Sequence, residues 1–174
     1  MMTFLTDLID TPTGEIMIVT DENGALRALE WTDLTYRMTK LLGQQYRGVE
    51  IALRPANGPE NLVLAVNNYF LGELTALDGL ITISGGTSFQ RSVWAALRMI
   101  PVGQTRSYRD IAIAIGNPKG MRAIGLANGC NPIGIVVPCH RVIGANGTLT
   151  GYGGGLNRKE WLLKHEGAFH GKLL

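Results

Sequence analysis

Acidic and basic residues are segregated along this chain. Positions 1–86 hold 5 Lys/Arg against 11 Asp/Glu, a balance of −6, and positions 87–174 hold 11 against 3, a balance of +8. The crossover coincides with Ser84-Gly85-Gly86, a short flexible joint. A chain of 174 residues that is 45% hydrophobic can bury a real core, as one domain or two small ones. The joint divides it into an N-terminal supporting domain, 1–84, and a C-terminal domain, 85–174. The basic half suits a polyanion, because each Lys or Arg placed at a phosphate releases counterions, while the acidic half would face away. A basic surface kept for solubility has the same composition.

Element signals differ between the halves. Residues 16–20 and 25–31 are rich in β-formers and flank Asp21-Glu22-Asn23-Gly24, whose Asn-Gly pair supplies the positive φ of a tight hairpin. Leu34 to Tyr46 and Glu60 to Leu71 carry apolar residues at helical spacing; Leu62, Ala65, Val66, Tyr69 and Phe70 form one core stripe. Ile81-Thr82-Ile83 adds an edge strand. Beyond the joint, Thr87 and Gln90 form a capping box for a helix that runs to about Met99 and stops before Pro101. Tyr108 to Ile115 and Lys119 to about Gly129 are two helices across a Gly116-Asn117-Pro118 turn. Such a pair matches a helix-turn-helix, a pattern also common in bundles that never touch DNA. A last helix is expected from Asn157, with Glu160 closing its cap.

The compartment is read as cytoplasmic. The first ten residues lack a basic region followed by an apolar run, and no segment approaches a membrane span. Cys130 and Cys139 are too few for a disulfide framework, and no Cys/His group has zinc spacing. No phosphate-binding glycine fingerprint is present, so neither a metal nor a cofactor is implied.

Chemistry concentrates at Pro138-Cys139-His140-Arg141-Val142, where an apolar run from Ile133 to Val137 ends in a thiol beside an imidazole and a guanidinium. Cationic neighbours favour the thiolate, the nucleophilic form. A small buried hydrophobe is the other reading of such a cysteine. On an extended chain His140 would point to the face opposite Cys139, which leaves a bridging water as the link between them. Glu166, at the C-terminal end of a helix, sits where the dipole disfavours a carboxylate, so it has either a compensating partner or solvent. A Cys-His hydrolase would need an oxyanion hole and a base touching the thiol, and adjacent Cys-His does not provide the latter.

From Thr87 to Gly167 the sequence resembles the O6-alkylguanine-DNA alkyltransferases, or methylated-DNA-protein-cysteine methyltransferases. The matches run in order through Phe89-Gln90, Ser107-Tyr108, Asn117-Pro118-Lys119, Arg122-Ala123-Ile124-Gly125, Asn131-Pro132, the cysteine box and His165-Glu166-Gly167. Before about residue 80 the likeness is one of general layout. The resemblance implies an α+β fold, with a small antiparallel sheet and helices in a ribonuclease H-like layout, then a mostly helical, winged helix-turn-helix-like domain. It implies a monomer that binds double-stranded DNA through the minor groove and repairs O6-alkylguanine or O4-alkylthymine. Family members with an N-terminal zinc site use Cys and His there, and this chain has neither in that region.

Carried over residue by residue, the resemblance makes Cys139 the nucleophile and alkyl acceptor, His140 a base acting through water, and Glu166 its orienting carboxylate. Asn131 positions the water and the turn, and Tyr108 donates a proton to the leaving base. Arg122 fills the stack when a base leaves, with Gly120, Met121, Ala123 and Tyr108 at the DNA. Pro138, Val142, Tyr152 and Gly153 line the alkyl-base pocket. At Gly153 the sequence departs from the members of the family that carry Ser there, which implies a wider, less polar pocket. A lesion sensor of the same family that lacks the nucleophile is the alternative, and Cys139 argues against it.

Overall fold

The computed structural model describes residues 1–169. Its elements are mixed α+β, and the chain resolves into two compact units.

The first unit holds Met1–Gly86 together with Pro132–Val136. Strands β1 (Met2–Ile9), β2 (Ile16–Thr20), β3 (Leu26–Trp31) and β4 (Ile51–Pro55) form one sheet in the order β3-β2-β1-β4. The β2–β3 hairpin turns where expected: the Asp21 carboxylate accepts the N–H groups of Asn23 and Ala25 at 2.9 and 3.0 Å, and Gly24 takes φ 81°. The expected antiparallel sheet is in fact mixed. After β3 the chain crosses through helix α1 (Thr35–Gln45), so β4 re-enters in the direction of β1 and pairs parallel to it, Met2 opposite Ile51. Phe4, Val19, Ala28, Met38 and Leu42 cluster beneath α1, whose Met38, Leu41 and Leu42 share a helical face.

Helix α2 (Glu60–Phe70) buries Leu62, Val66 and Tyr69 of the predicted stripe and leaves Ala65 and Phe70 half-buried. Ile81–Ile83 makes a single parallel bridge to Leu26 rather than a strand. Pro132–Val136, assigned by sequence to the C-terminal half, is held in this unit by Leu29: Leu29 N–H donates to Pro132 O and Gly134 N–H to Leu29 O.

The second unit holds Thr87–Asn131 and the chain from Val137 onward. Helix α3 (Ser88–Arg98) opens with the predicted capping box, Thr87 Oγ1 accepting from Gln90 N–H and Gln90 Oε1 from Thr87 N–H. Helix α4 (Tyr108–Ala114) has its own box between Ser107 and Asp110. Gly116, at φ 75°, turns the chain into α5 (Met121–Gly129), and Trp94 Nε1 ties α3 to α5 through Ala127 O at 2.9 Å. Two-residue strands β5 (Arg106–Ser107) and β6 (Val142–Ile143) pair in parallel, which sets Tyr108, the first residue of α4, next to the strand that follows Cys139-His140-Arg141.

Helix α6 (Leu156–His165) departs from expectation at its start. Gly155 is its N-cap at φ 93°, no side chain caps it, and Glu160 pairs with Lys164 one turn on. Asn157 lies inside the first turn, where its side chain cannot serve as the cap.

Candidate functional site

Cys139-His140-Arg141 is one 3₁₀ turn entered from Pro138, with Arg141 N–H donating to Pro138 O at 3.0 Å. The extended geometry expected at Cys139-His140 is therefore absent: a turn, not strand alternation, separates the two side chains. Cys139 is 6% exposed and His140 and Val142 0%. Asn131, also buried, donates from Nδ2 to Val137 O at 2.9 Å and to Cys139 Sγ at 3.2 Å, so one amide fixes the approach to the turn and points a donor at the sulfur. A donor in that place favours the sulfur when it carries negative charge.

Behind the thiol lies a buried ionic cluster. His140 Nε2 meets Glu166 Oε1 at 2.9 Å, and Arg141 meets the same carboxylate through Nε at 2.9 Å and Nη2 at 3.0 Å while Nη1 donates to Ile100 O at 2.6 Å. Glu166 caps the C-terminus of α6, and this pair of partners answers the unfavourable dipole there. Burial pushes the Glu166 carboxyl upward, but its contacts with His140 and Arg141 outweigh that and hold it below the usual carboxylate range. Burial lowers the His140 imidazole; Glu166 partly opposes this, and Arg141 and Lys159 add to the lowering. His140 is thus neutral at neutral pH. An ionised carboxylate can only accept, so the shared proton is assigned to Nε2 and Nδ1 carries the lone pair. Nδ1 is buried and has no protein partner.

Two side chains join this site unforeseen. Lys159, fully buried, reaches from α6 to Val142 O at 2.6 Å, Thr150 O at 3.0 Å and Gly151 O at 3.4 Å. It fastens the loop that leads into Tyr152 and Gly153 to the residue following the Cys139 turn. Burial lowers its ammonium to about 8, against a counteracting pull from Cys139. In sequence it reads as part of a solvated Arg-Lys-Glu run, yet its spacing to Leu162 and Leu163 puts it on the buried face. Asn128, 7% exposed, directs Nδ2 toward Cys139 O at 3.5 Å, and its position beside Ile124 and Ala127 on α5 carried the same signal.

The residues assigned to DNA gather elsewhere in the same unit. Tyr108, Met121 and Arg122 line a cleft of about 610 Å³ with Ser107, Arg109, Gly125 and Ala145. Arg122 and Met121 are exposed; Tyr108 is half-buried, its hydroxyl 3.4 Å from Thr150 Oγ1. Gly120 and Ala123 are not in the lining. Gly120 has a local reason to be glycine, since an added Cβ would meet the Asn117 side chain at 2.4 Å. Among pocket candidates, Pro138 and Val142 are buried, Tyr152 half-buried and Gly153 exposed. Among the described residues, no group of three or more His, Cys, Asp or Glu could hold a metal ion, and no helix is long and apolar enough to cross a membrane.

A buried thiol with an amide donor on its sulfur, backed by an imidazole-carboxylate-guanidinium cluster, shares a helical, basic unit with a helix pair that exposes Arg122. Residues 88–168 match the family described as 6-O-methylguanine DNA methyltransferase, DNA binding domain. A Salmonella typhimurium methylated-DNA-protein-cysteine methyltransferase is 52% identical over 167 residues, covering 96% of this chain and 98% of the relative. The crystal structure of Mycobacterium tuberculosis O6-methylguanine methyltransferase superposes with a TM-score of 0.78 at 41% identity, covering 98% and 96% of the two chains. The structure of Mycobacterium tuberculosis OGT in complex with DNA does so with 0.77 at 43% identity, covering 95% and 93%. The chain belongs to the methylated-DNA-protein-cysteine methyltransferase family.

Proposed function

We propose that this protein repairs alkylated DNA by moving the alkyl group from O6-alkylguanine onto Cys139, once per molecule. The observation that carries this is Cys139 Sγ itself, buried, bonded by Asn131 and set one residue from the His140-Glu166 pair. Displacement at saturated carbon needs a good nucleophile in line with the leaving oxygen, and a thiolate meets that need. The thiol proton passes through a water to His140 Nδ1, the lone-pair nitrogen, while Glu166 holds the ring from its other side. A sulfur-carbon bond forms, the carbon-oxygen bond breaks, and its electron pair moves into the guanine ring, where Tyr108 supplies a proton. The carbonyls of Cys139 and Val142 face the exocyclic amine, and Tyr152 and Gly153 approach the alkylated oxygen. The thioether product does not leave, which limits each molecule to one transfer.

The target atom is inside a duplex, so the nucleotide must leave the stack, at a cost of a few kcal/mol that is least for a damaged pair. In this reading α5 enters the minor groove, whose degenerate edges suit a search over all sequences, and Arg122 fills the gap. The small residues Ala123 and Gly125 of α5 permit close approach. The α4-α5 pair supports a winged helix-turn-helix reading of the second unit, and the β3-β2-β1-β4 order with β4 parallel supports a ribonuclease H-like reading of the first. Gly153, exposed and without a side chain, favours acceptance of larger adducts and of O4-alkylthymine.

The test is intact mass after mixing with a duplex carrying one O6-methylguanine, followed by peptide mapping of Cys139 and Cys130. One methyl on Cys139 is expected, stopping at one per molecule. Lesion binding without mass gain would make the protein a sensor, and neither binding nor gain would end the proposal. Arg122→Ala is expected to slow repair of duplex DNA while leaving single-stranded DNA unaffected; equal duplex rates would remove the assigned role of Arg122.

A further inference from the structure

Thr150 has no task in the chemistry above, yet its hydroxyl meets the proton donor. Its Oγ1 donates to Tyr108 Oη at 3.4 Å, across 42 positions of the chain. Both ends of that contact are held. Tyr108 opens α4 behind the Ser107-Asp110 capping box, and its ring lies along α5, where a Cβ added at Gly125 would be 4.0 Å from Cε1. Thr150 belongs to a glycine-rich loop but is fixed on two sides: the preceding Leu149 is buried with Leu163 and Ala168, and Thr150 O accepts the Lys159 ammonium at 3.0 Å. Thr150 itself is exposed, so its side chain is no part of the core.

A phenol oxygen carries a single hydrogen, and by accepting from Thr150 it keeps that hydrogen for another acceptor. We infer that Thr150 is a positioning residue for the leaving-group proton, acting through the Tyr108 hydroxyl: it holds the phenol oxygen and leaves the phenol hydrogen for the departing guanine. This rests on the alkyl-transfer reading. As the Tyr108 O–H bond breaks and an N–H bond forms on the guanine ring, negative charge gathers on the phenol oxygen, and the Thr150 hydroxyl bonds that oxygen more strongly. An interaction stronger in the transition state than in the ground state speeds the chemical step. The length of the contact in the free protein fits this role, because catalytic hydrogen bonds tighten when the complex forms.

The test is a double-mutant cycle on the single-turnover rate constant, measured at saturating duplex carrying O6-methylguanine so that binding drops out; labelling of Cys139 by iodoacetamide counts the competent molecules in each preparation. Thr150→Val keeps the shape and removes the hydroxyl. It is expected to slow transfer about fivefold, and Thr150→Ser to restore the wild-type rate. In a Tyr108→Phe background, Thr150→Val is expected to cause no further loss, because the oxygen it acts through is gone. A purely structural role for Thr150, or a contact of its own with DNA, would slow transfer alike in both backgrounds. That result, wild-type speed in Thr150→Val, or a Thr150→Ser as slow as Thr150→Val would each overturn the inference while leaving alkyl transfer intact. Absence of transfer in wild type would instead overturn the proposed function.

Discussion

Glu166→Ala is expected to destabilise the protein by about 3–5 kcal/mol, because it strands the buried Arg141 guanidinium that the carboxylate holds through two bonds. In a chain of this size that corresponds to a fall in Tm of roughly ten degrees, read by calorimetry at neutral pH. Transfer to Cys139 should fall as well, since His140 loses the partner that fixes its ring and its tautomer. The pH dependence separates the contributions. His140 and Glu166 are both depressed in the fold, so each contributes stability above its unfolded pKa that is lost as pH falls through the window below it. Wild type should therefore weaken first below about 6.5, as the unfolded chain takes up a proton that buried His140 refuses, and again below about 4.3, as the unfolded chain takes up a proton that Glu166 refuses in the fold. In Glu166→Ala the second decline should shrink. An unchanged acid limb would mean that the cluster is not what holds the C-terminus of α6.

Glu166 also illustrates what the sequence conveys. A carboxylate at a helix C-terminus is locally unfavourable, which by itself left a compensating partner and plain solvation both open. The partner was adjacent to the nucleophile as Arg141, legible as a cation but not as the group that bonds both carboxylate oxygens and Ile100 O. Local rules succeeded where bonds are local: the Asp21 turn, the Thr87-Gln90 box and the helix stripes follow from residues within a few positions of one another. Strands β1 and β4 escaped because their pairing is supplied from far along the chain, and β4, on the sheet edge, has only β1 as a neighbour. The same holds for residues 132–136, where Leu29 bonds Pro132 O and Gly134 N–H from far along the chain. There Ile135 takes φ 66°, a region a β-branched residue rarely enters and no sequence pattern announces. Lys159 and Asn128 were hidden by residue type: Lys and Asn are read as surface until helical spacing is weighed against their chemistry.

Lys159→Met is expected to move the pH profile of Cys139 alkylation by iodoacetamide to higher pH, with about a tenfold slower reaction at neutral pH for each unit of displacement. The reasoning is electrostatic. A buried ammonium bonded only to carbonyls brings uncompensated positive charge into the unit, and the charge of Cys139 is the one that pulls its pKa back upward. The interaction is mutual, so removing the cation must make the thiolate harder to form. Stability provides an independent reading with the opposite sense. With Lys159 titrating at about 8 in the fold and about 10.4 in the unfolded chain, the unfolded state binds more protons between those values, so wild type should gain stability as pH rises across that window. Methionine cannot titrate, and the gain should vanish in the variant. Loss of the three bonds to Val142, Thr150 and Gly151 could loosen the loop and slow transfer from DNA by itself, but loosening would not displace the pH midpoint of a small reagent's reaction. A profile identical to wild type would show that Lys159 only fastens the loop; a displaced profile would make it the charge that holds Cys139 ready to react.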